Sequence, residues 1–273
     1  KDLRLGQPDD GNQPTSTTQR RAYDIQKEAF GAGSNGPLLI SVSRPDGGKL
    51  DKSQATAVSD SLNGRDGVQY AAPPEISPNG EAAIIGLVPT TSPQDARTSQ
   101  LVKDLRDDYI PEAIAGQDLV VHVGGQTAVI DDLSTKIESR LPVFIGIVIG
   151  LSVLLLIAVF RSIWVPLASA VFNLLVIGAA YGVIVAVFQK GFGAGLIGVG
   201  DDVPIIAFAP LMMFAILFGL SMDYNVFLLS RIREAYFEGD TPRESVIDGL
   251  ARIAKVILIA GLIMASVFLA FIP

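Results

Sequence analysis

The chain has 273 residues, a formal net charge of −7 and no cysteine, and 49% of its residues are hydrophobic. The acidic balance argues against nucleic acid as a partner, and the missing cysteine excludes a disulfide framework. Charge is unevenly placed: residues 1–140 hold 20 acidic and 14 basic side chains, residues 141–273 only 8 and 7, so the mean hydropathy of +0.42 blends a soluble acidic half with an apolar one.

Residues 1–36 read as a polar N-terminal segment. It has no secretory-signal pattern, because it opens with Lys1-Asp2-Leu3-Arg4 and the first long apolar run comes only after residue 140. Residues 37–125 carry alternating strand and helix patterns. Pro37 to Ser43 is a strand, Asp51 to Leu62 a helix stopped by Gly64, and Val68 to Ala72 a second strand. Pro78-Asn79-Gly80 is a turn that joins it to Glu81 to Val88 as a hairpin. Ser92-Pro93-Gln94-Asp95 opens a helix with a cap residue, a proline in the first turn and an acid three residues on, running to about Tyr109. Leu119 to Val123 is the last strand. The order strand, helix, strand, strand, helix, strand predicts a split βαβ, ferredoxin-like α+β domain large enough to bury its own core. Gly124-Gly125 ends it, and Gln126 to Arg140 reads as a connecting helix.

Residues 141–273 predict a polytopic α-helical membrane domain. Uncharged runs at about 141–160, 162–189, 203–230 and 256–272 approach or exceed the length that crosses a bilayer, Asp223 being the one exception to their neutrality. The connection from Lys190 to Asp202 holds one Lys and two Asp, whereas the loop from Arg231 to Lys255 holds Arg231, Arg233, Arg243, Arg252 and Lys255. Positive charge marks the cytoplasmic side. The first span then runs inward, which makes residues 1–140 extracytoplasmic in a multi-pass protein of the cell membrane.

Asp223 interrupts the third run. It lies roughly 12 Å along a helix from Arg231, near the midplane of a hydrocarbon core ~30 Å thick. A carboxylate there is costly unless protonated or paired, so it is a candidate for proton or ion coupling. Other constellations are weaker. His122 is the only histidine and sits on a strand, where a lone histidine is usually a surface side chain. No cluster has metal-ligand spacing, and no serine has a histidine and an acid that would make a triad, so neither a cofactor nor an enzyme is expected. The glycines of Gly191 to Gly200 lack the Gly-Lys-Ser/Thr ending of a phosphate loop and read as a flexible connector.

The segment Phe218-Gly219-Leu220-Ser221-Met222-Asp223-Tyr224, continued by Val226-Phe227-Leu228-Leu229-Ser230-Arg231-Ile232-Arg233-Glu234, resembles the Asp-Tyr signature helix of MMPL (mycobacterial membrane protein large) transporters of the RND superfamily. Leu3-Arg4-Leu5-Gly6 with Pro8-Asp9, Arg21-Ala22-Tyr23-Asp24, Asn35-Gly36-Pro37-Leu38, Gly124-Gly125-Gln126-Thr127-Ala128 and Phe160-Arg161-Ser162 extend the resemblance over nearly the whole chain. It implies twelve transmembrane helices in two pseudo-repeats, an outer porter domain after the first helix of each, and export of lipids or other hydrophobic molecules driven by protons. The chain resembles part of one repeat, the second by its motifs, and would need the other repeat as partner. Asn225 departs from the pattern, standing where many members have Glu.

The resemblance further implies a proton relay in which Asp223 alternates between protonated and ionised forms and Tyr224 offers a hydroxyl to it or to the partner helix. Ser266, in the last span, is a candidate hydrogen-bond neighbour, although a serine in a lipid helix is also satisfied by its own backbone. The expected partners are thus a hydrophobic or lipid substrate, protons and membrane lipids. A different class remains open at this stage: a non-transporting membrane module in which four helices anchor an outer binding or sensing domain and Asp223 pairs structurally.

Overall fold

The structure, a computed structural model, describes residues 4–6, 8–193 and 203–270. It divides into two compact units, Lys1–Pro142 with Val183–Ala209, and Val143–Gly182 with Pro210–Pro273.

The first unit opens with a two-residue strand, β1 (Leu5–Gly6), and a helix the sequence did not announce, α1 (Thr18–Phe30). Thr17 caps α1 by accepting from the Arg20 amide at 3.3 Å. Tyr23 is its one buried residue. In β2 (Leu38–Ser43) the alternation is clean, with Leu38, Ile40 and Val42 fully buried and Leu39 facing out. Asp51 caps α2 (Lys52–Leu62) by accepting from the Ser53 amide at 2.9 Å. β3 (Val68–Ala71) follows, then a short β4 (Glu75–Ile76) absent from the sequence reading, then β5 (Ala82–Pro89). The tight turn at Gly80, whose φ is +75°, joins β4 to β5, not Val68–Ala72 to the next strand. β3 nevertheless pairs antiparallel with β5.

The next helix also begins later than expected. Its cap is Asp95, whose carboxylate accepts from the Arg97 amide at 2.9 Å. The Ser92 carbonyl is used in a preceding turn, accepting from the Thr98 hydroxyl at 2.7 Å. α3 (Ala96–Asp104) widens into a π-turn over Leu105–Tyr109 and continues as α4 (Ile110–Ala113), past the expected end at Tyr109. Pro111 has no N–H to bond back to the preceding turn, a sufficient reason for the altered ladder there. β6 (Val120–Gly124) completes a sheet of order β3–β5–β2–β6 in which every neighbouring pair is antiparallel. The strands before and after each helix are therefore separated by one intervening strand. Ile40, Ile85 and Leu87 from the sheet, Val58 and Leu62 from α2, and Leu101, Val102 and Leu105 from α3 and its extension form one core. Each such side chain contributes about 1.5–3 kcal/mol by leaving water. His122 lies on the opposite, exposed face of the sheet.

Among the described residues, four helices are long and apolar enough to cross a membrane. α5 (Gln126–Phe160) is continuous through Pro142, and α6 (Trp164–Ile184) ends in a second π-turn over Val185–Gln189. Residues 203–208 are not part of the third helix, contrary to the sequence expectation. Within them β7 (Ile205–Ile206) pairs in parallel with β1, Leu5 opposite Ile205. α7 (Ala209–Phe237) starts beyond this pairing and continues through the Arg231 and Arg233 positions. α8 (Pro242–Leu269) starts well before residue 256, because Thr241 and Glu244 form a reciprocal capping box at its head. The greater part of the glycine-rich connector, residues 194–202, and the end of the fourth run at 271–273 lie outside the described residues.

Candidate functional site

α7 turns one stripe toward its neighbours. Phe214 is fully buried, stacks on Phe218 at 5.4 Å between ring centroids and meets Phe144 of α5 edge-on at 5.8 Å. Ile177 of α6 completes this cluster. At the head of α7, the Tyr181 hydroxyl donates to the Pro210 carbonyl at 2.6 Å. Further along, a Cβ at Gly249 of α8 would lie 2.8 Å from backbone atoms of Ile232, so only glycine permits that crossing.

Asp223 sits on the other side of α7, exposed, in line with Gly219 four residues before it and Phe227 four residues after it. Among the described residues it has no hydrogen bond or ion pair. Tyr224 is half-buried and likewise makes no hydrogen bond among them. Ser266 donates to the Ile263 carbonyl of its own helix at 2.7 Å, the backbone-satisfied alternative open to a serine in a lipid helix. Among the described residues, the structure therefore does not join Asp223, Tyr224 and Ser266 by hydrogen bonds.

It does assemble a polar group that sequence reasoning passed over. Asn173 of α6 is only 2% exposed. Its Oδ1 accepts from the Ser221 hydroxyl and, at 3.3 Å, from the Asn225 Nδ2. Ser152 of α5 adds a contact from its hydroxyl to the Met222 sulfur at 3.3 Å. The signal was present as an amide inside an otherwise apolar run, Val171-Phe172-Asn173-Leu174-Leu175.

In the first unit the N-terminal segment, α3 and the start of α5 enclose a polar cavity of about 630 Å³, whose walls include Asp9, Tyr23, Gln94, Lys103, Thr127 and Glu138. The Tyr23 hydroxyl donates to Asp9 at 2.8 Å, and the Gly11 amide donates to the other carboxylate oxygen at 3.0 Å. Burial still pushes the Asp9 carboxyl above its usual range, outweighing these bonds. Beside the cavity, Arg106 forms a two-pronged pair with Asp132 of α5 and also donates to the Val123 carbonyl at 3.1 Å. That guanidinium holds the Asp132 carboxyl below its usual range. Among the described residues no group of His, Asp and Glu has an arrangement that could hold a metal ion.

The MMPL family model matches residues 13–272. The chain belongs to the MMPL family. That is a family of membrane transporters and not of enzymes, in keeping with the four helices among the described residues that are long and apolar enough to cross a membrane. The chain is 38% identical over 273 residues to Membrane protein YdfJ of Bacillus subtilis, covering 99% of this chain and 37% of that protein. It is 32% identical to the Mycolic acid-containing lipids exporter MmpL11 of Mycolicibacterium smegmatis, covering 92% of this chain and 26% of that protein. To the Heme uptake protein MmpL11 of Mycobacterium tuberculosis H37Rv it is 32% identical, covering 89% of this chain and 25% of that protein. The chain thus spans well under half the length of the curated relatives it matches.

Proposed function

We propose that this chain is part of a proton-driven exporter of lipids or other hydrophobic molecules, contributing part of one repeat of an RND-type transporter. The observation that carries the reading is Asp223, an acid without an ion pair among the described residues, in a helix otherwise uncharged over the width of a membrane. Protonation removes the charge that lipid penalises, and the two protonation states then favour different helix packings, as proton coupling requires. Tyr224 supplies a hydroxyl to Asp223 or to the matching helix of the other repeat, which completes the relay.

The strand order of the first unit supports its reading as a ferredoxin-like porter domain, and the Arg-rich loop between α7 and α8 supports its extracytoplasmic placement. The names of the mycobacterial relatives, one for mycolic acid-containing lipids and one for heme, support a hydrophobic cargo. The test is Asp223→Asn in the complete transporter, with cargo export and membrane expression measured together. Export should vanish while expression persists. Wild-type export by Asp223→Asn would sink the proton-coupling role.

A further inference from the structure

We infer that Asn173 is a positioning residue: it clamps the rotation of α7 through Ser221 and Asn225 and thereby aims Asp223 away from the helices of this unit. The inference rests on the role proposed for Asp223, but its geometry stands alone. Ser221 and Asn225 lie two residues before and two after Asp223, so each projects ~200° around the helix from it, on nearly the opposite side. Both donate to one oxygen, Asn173 Oδ1. Two bonds from successive turns of α7 to a single acceptor on α6 fix the rotation of α7, whereas the apolar contacts of Phe214 and Phe218 permit sliding and rotamer exchange.

The burial of Asn173 carries a cost. Its Nδ2 is buried and, among the described residues, has no hydrogen-bond partner. An unsatisfied buried donor is destabilising, and a residue kept only for packing would be better replaced by leucine. The oxygen is used and the nitrogen is not, which identifies acceptance from α7 as the function of this side chain. No other charge competes for the orientation of Asp223: within 143–160, 164–184, 209–230 and 256–269, the titratable side chains are Asp223, Tyr181 and Tyr224. Tyr181 is engaged with the Pro210 carbonyl.

The rotation can be read without measuring transport. Single cysteines at Gly219, Leu220, Phe227 and Leu228 of the complete transporter, reconstituted in lipid vesicles, are spin-labelled and their accessibility to oxygen is compared. A Cβ at Gly219 meets nothing within 4 Å, so the label is tolerated there. Asn173→Leu should shift the accessibility pattern from the 219 and 227 face toward 220 and 228, with thermal stability retained. Asn173→Asp, which keeps an oxygen in the acceptor position, should restore the parental pattern. If Asn173→Leu does not fold, the double substitution Ser221→Ala with Asn225→Leu removes the same bonds from the other helix and should give the same shift.

An unchanged pattern in folded Asn173→Leu or in the double variant overturns the clamp, and a shift that Asn173→Asp fails to restore assigns it to packing volume and overturns it too. If the pattern shifts but Asp223→Asn exports normally, the clamp stands and the proton reading of Asp223 falls.

Discussion

Tyr224 follows Asp223 by one residue and so projects ~100° around the helix from it. In the proposed mechanism its hydroxyl reaches Asp223 or a neighbouring helix through a small rotation or a bridging water, which gives it the role of relay and not of titrating group. Tyr224→Phe removes the hydroxyl and leaves the ring. Export by the complete transporter should fall steeply with little change in melting temperature, whereas normal export by Tyr224→Phe together with failure of Tyr224→Ala would make the tyrosine a packing residue. Asp9 offers a second test at this scale. Its carboxyl is raised by burial, so the folded state binds the proton more tightly than the unfolded chain. Its stabilising contribution is therefore complete below the ordinary carboxylate value of about 3.9 and is lost as pH rises through the raised value. Asp9→Asn should flatten this dependence. The measurement is hydrogen exchange in α1 against pH, and an equally steep profile in the variant would refute the assignment.

Among whole elements, α8 depends most visibly on how it starts. The Thr241 hydroxyl accepts from the Glu244 amide at 3.4 Å, and the Glu244 carboxylate accepts from the Thr241 amide at 3.1 Å. Losing such a cap costs about 0.5–2 kcal/mol, so Thr241→Ala should raise hydrogen exchange over 242–255 and leave the apolar part of the helix unchanged. Equal exchange in variant and parent would show that packing alone holds this end. At the α7–α8 crossing the constraint is steric. Gly249→Leu would force its Cβ onto the Ile232 backbone, and the melting temperature in detergent should drop by several degrees. A variant as stable as the parent would show that the two helices separate freely.

For the whole molecule the open prediction is topology. With the Arg-rich loop inside, a cysteine at Glu238 in intact cells should resist a membrane-impermeant thiol reagent, while one at Phe192, 80% exposed, should react. The chain has no cysteine of its own to confuse the assay. Reversed labelling would overturn the orientation and with it the outer placement of residues 1–140. The long apolar helices, the alternating Leu38, Ile40 and Val42, and the turn at Gly80 were all legible from local sequence, because length, period and backbone freedom are properties of adjacent residues. Asp223 was legible for the same reason, since one charge in an apolar run needs no partner to be noticed. α1 was not, because it buries only Tyr23, and the pairing of Leu5 with Ile205 was not, because nothing local links residues so far apart. The cavity around Asp9 and Tyr23 and the convergence of Ser221 and Asn225 on one oxygen of Asn173 were decided only by the tertiary structure. Each depends on where distant side chains are carried by packed helices and paired strands, and burial, hydrogen-bond geometry and close approach act between them only once the chain has folded.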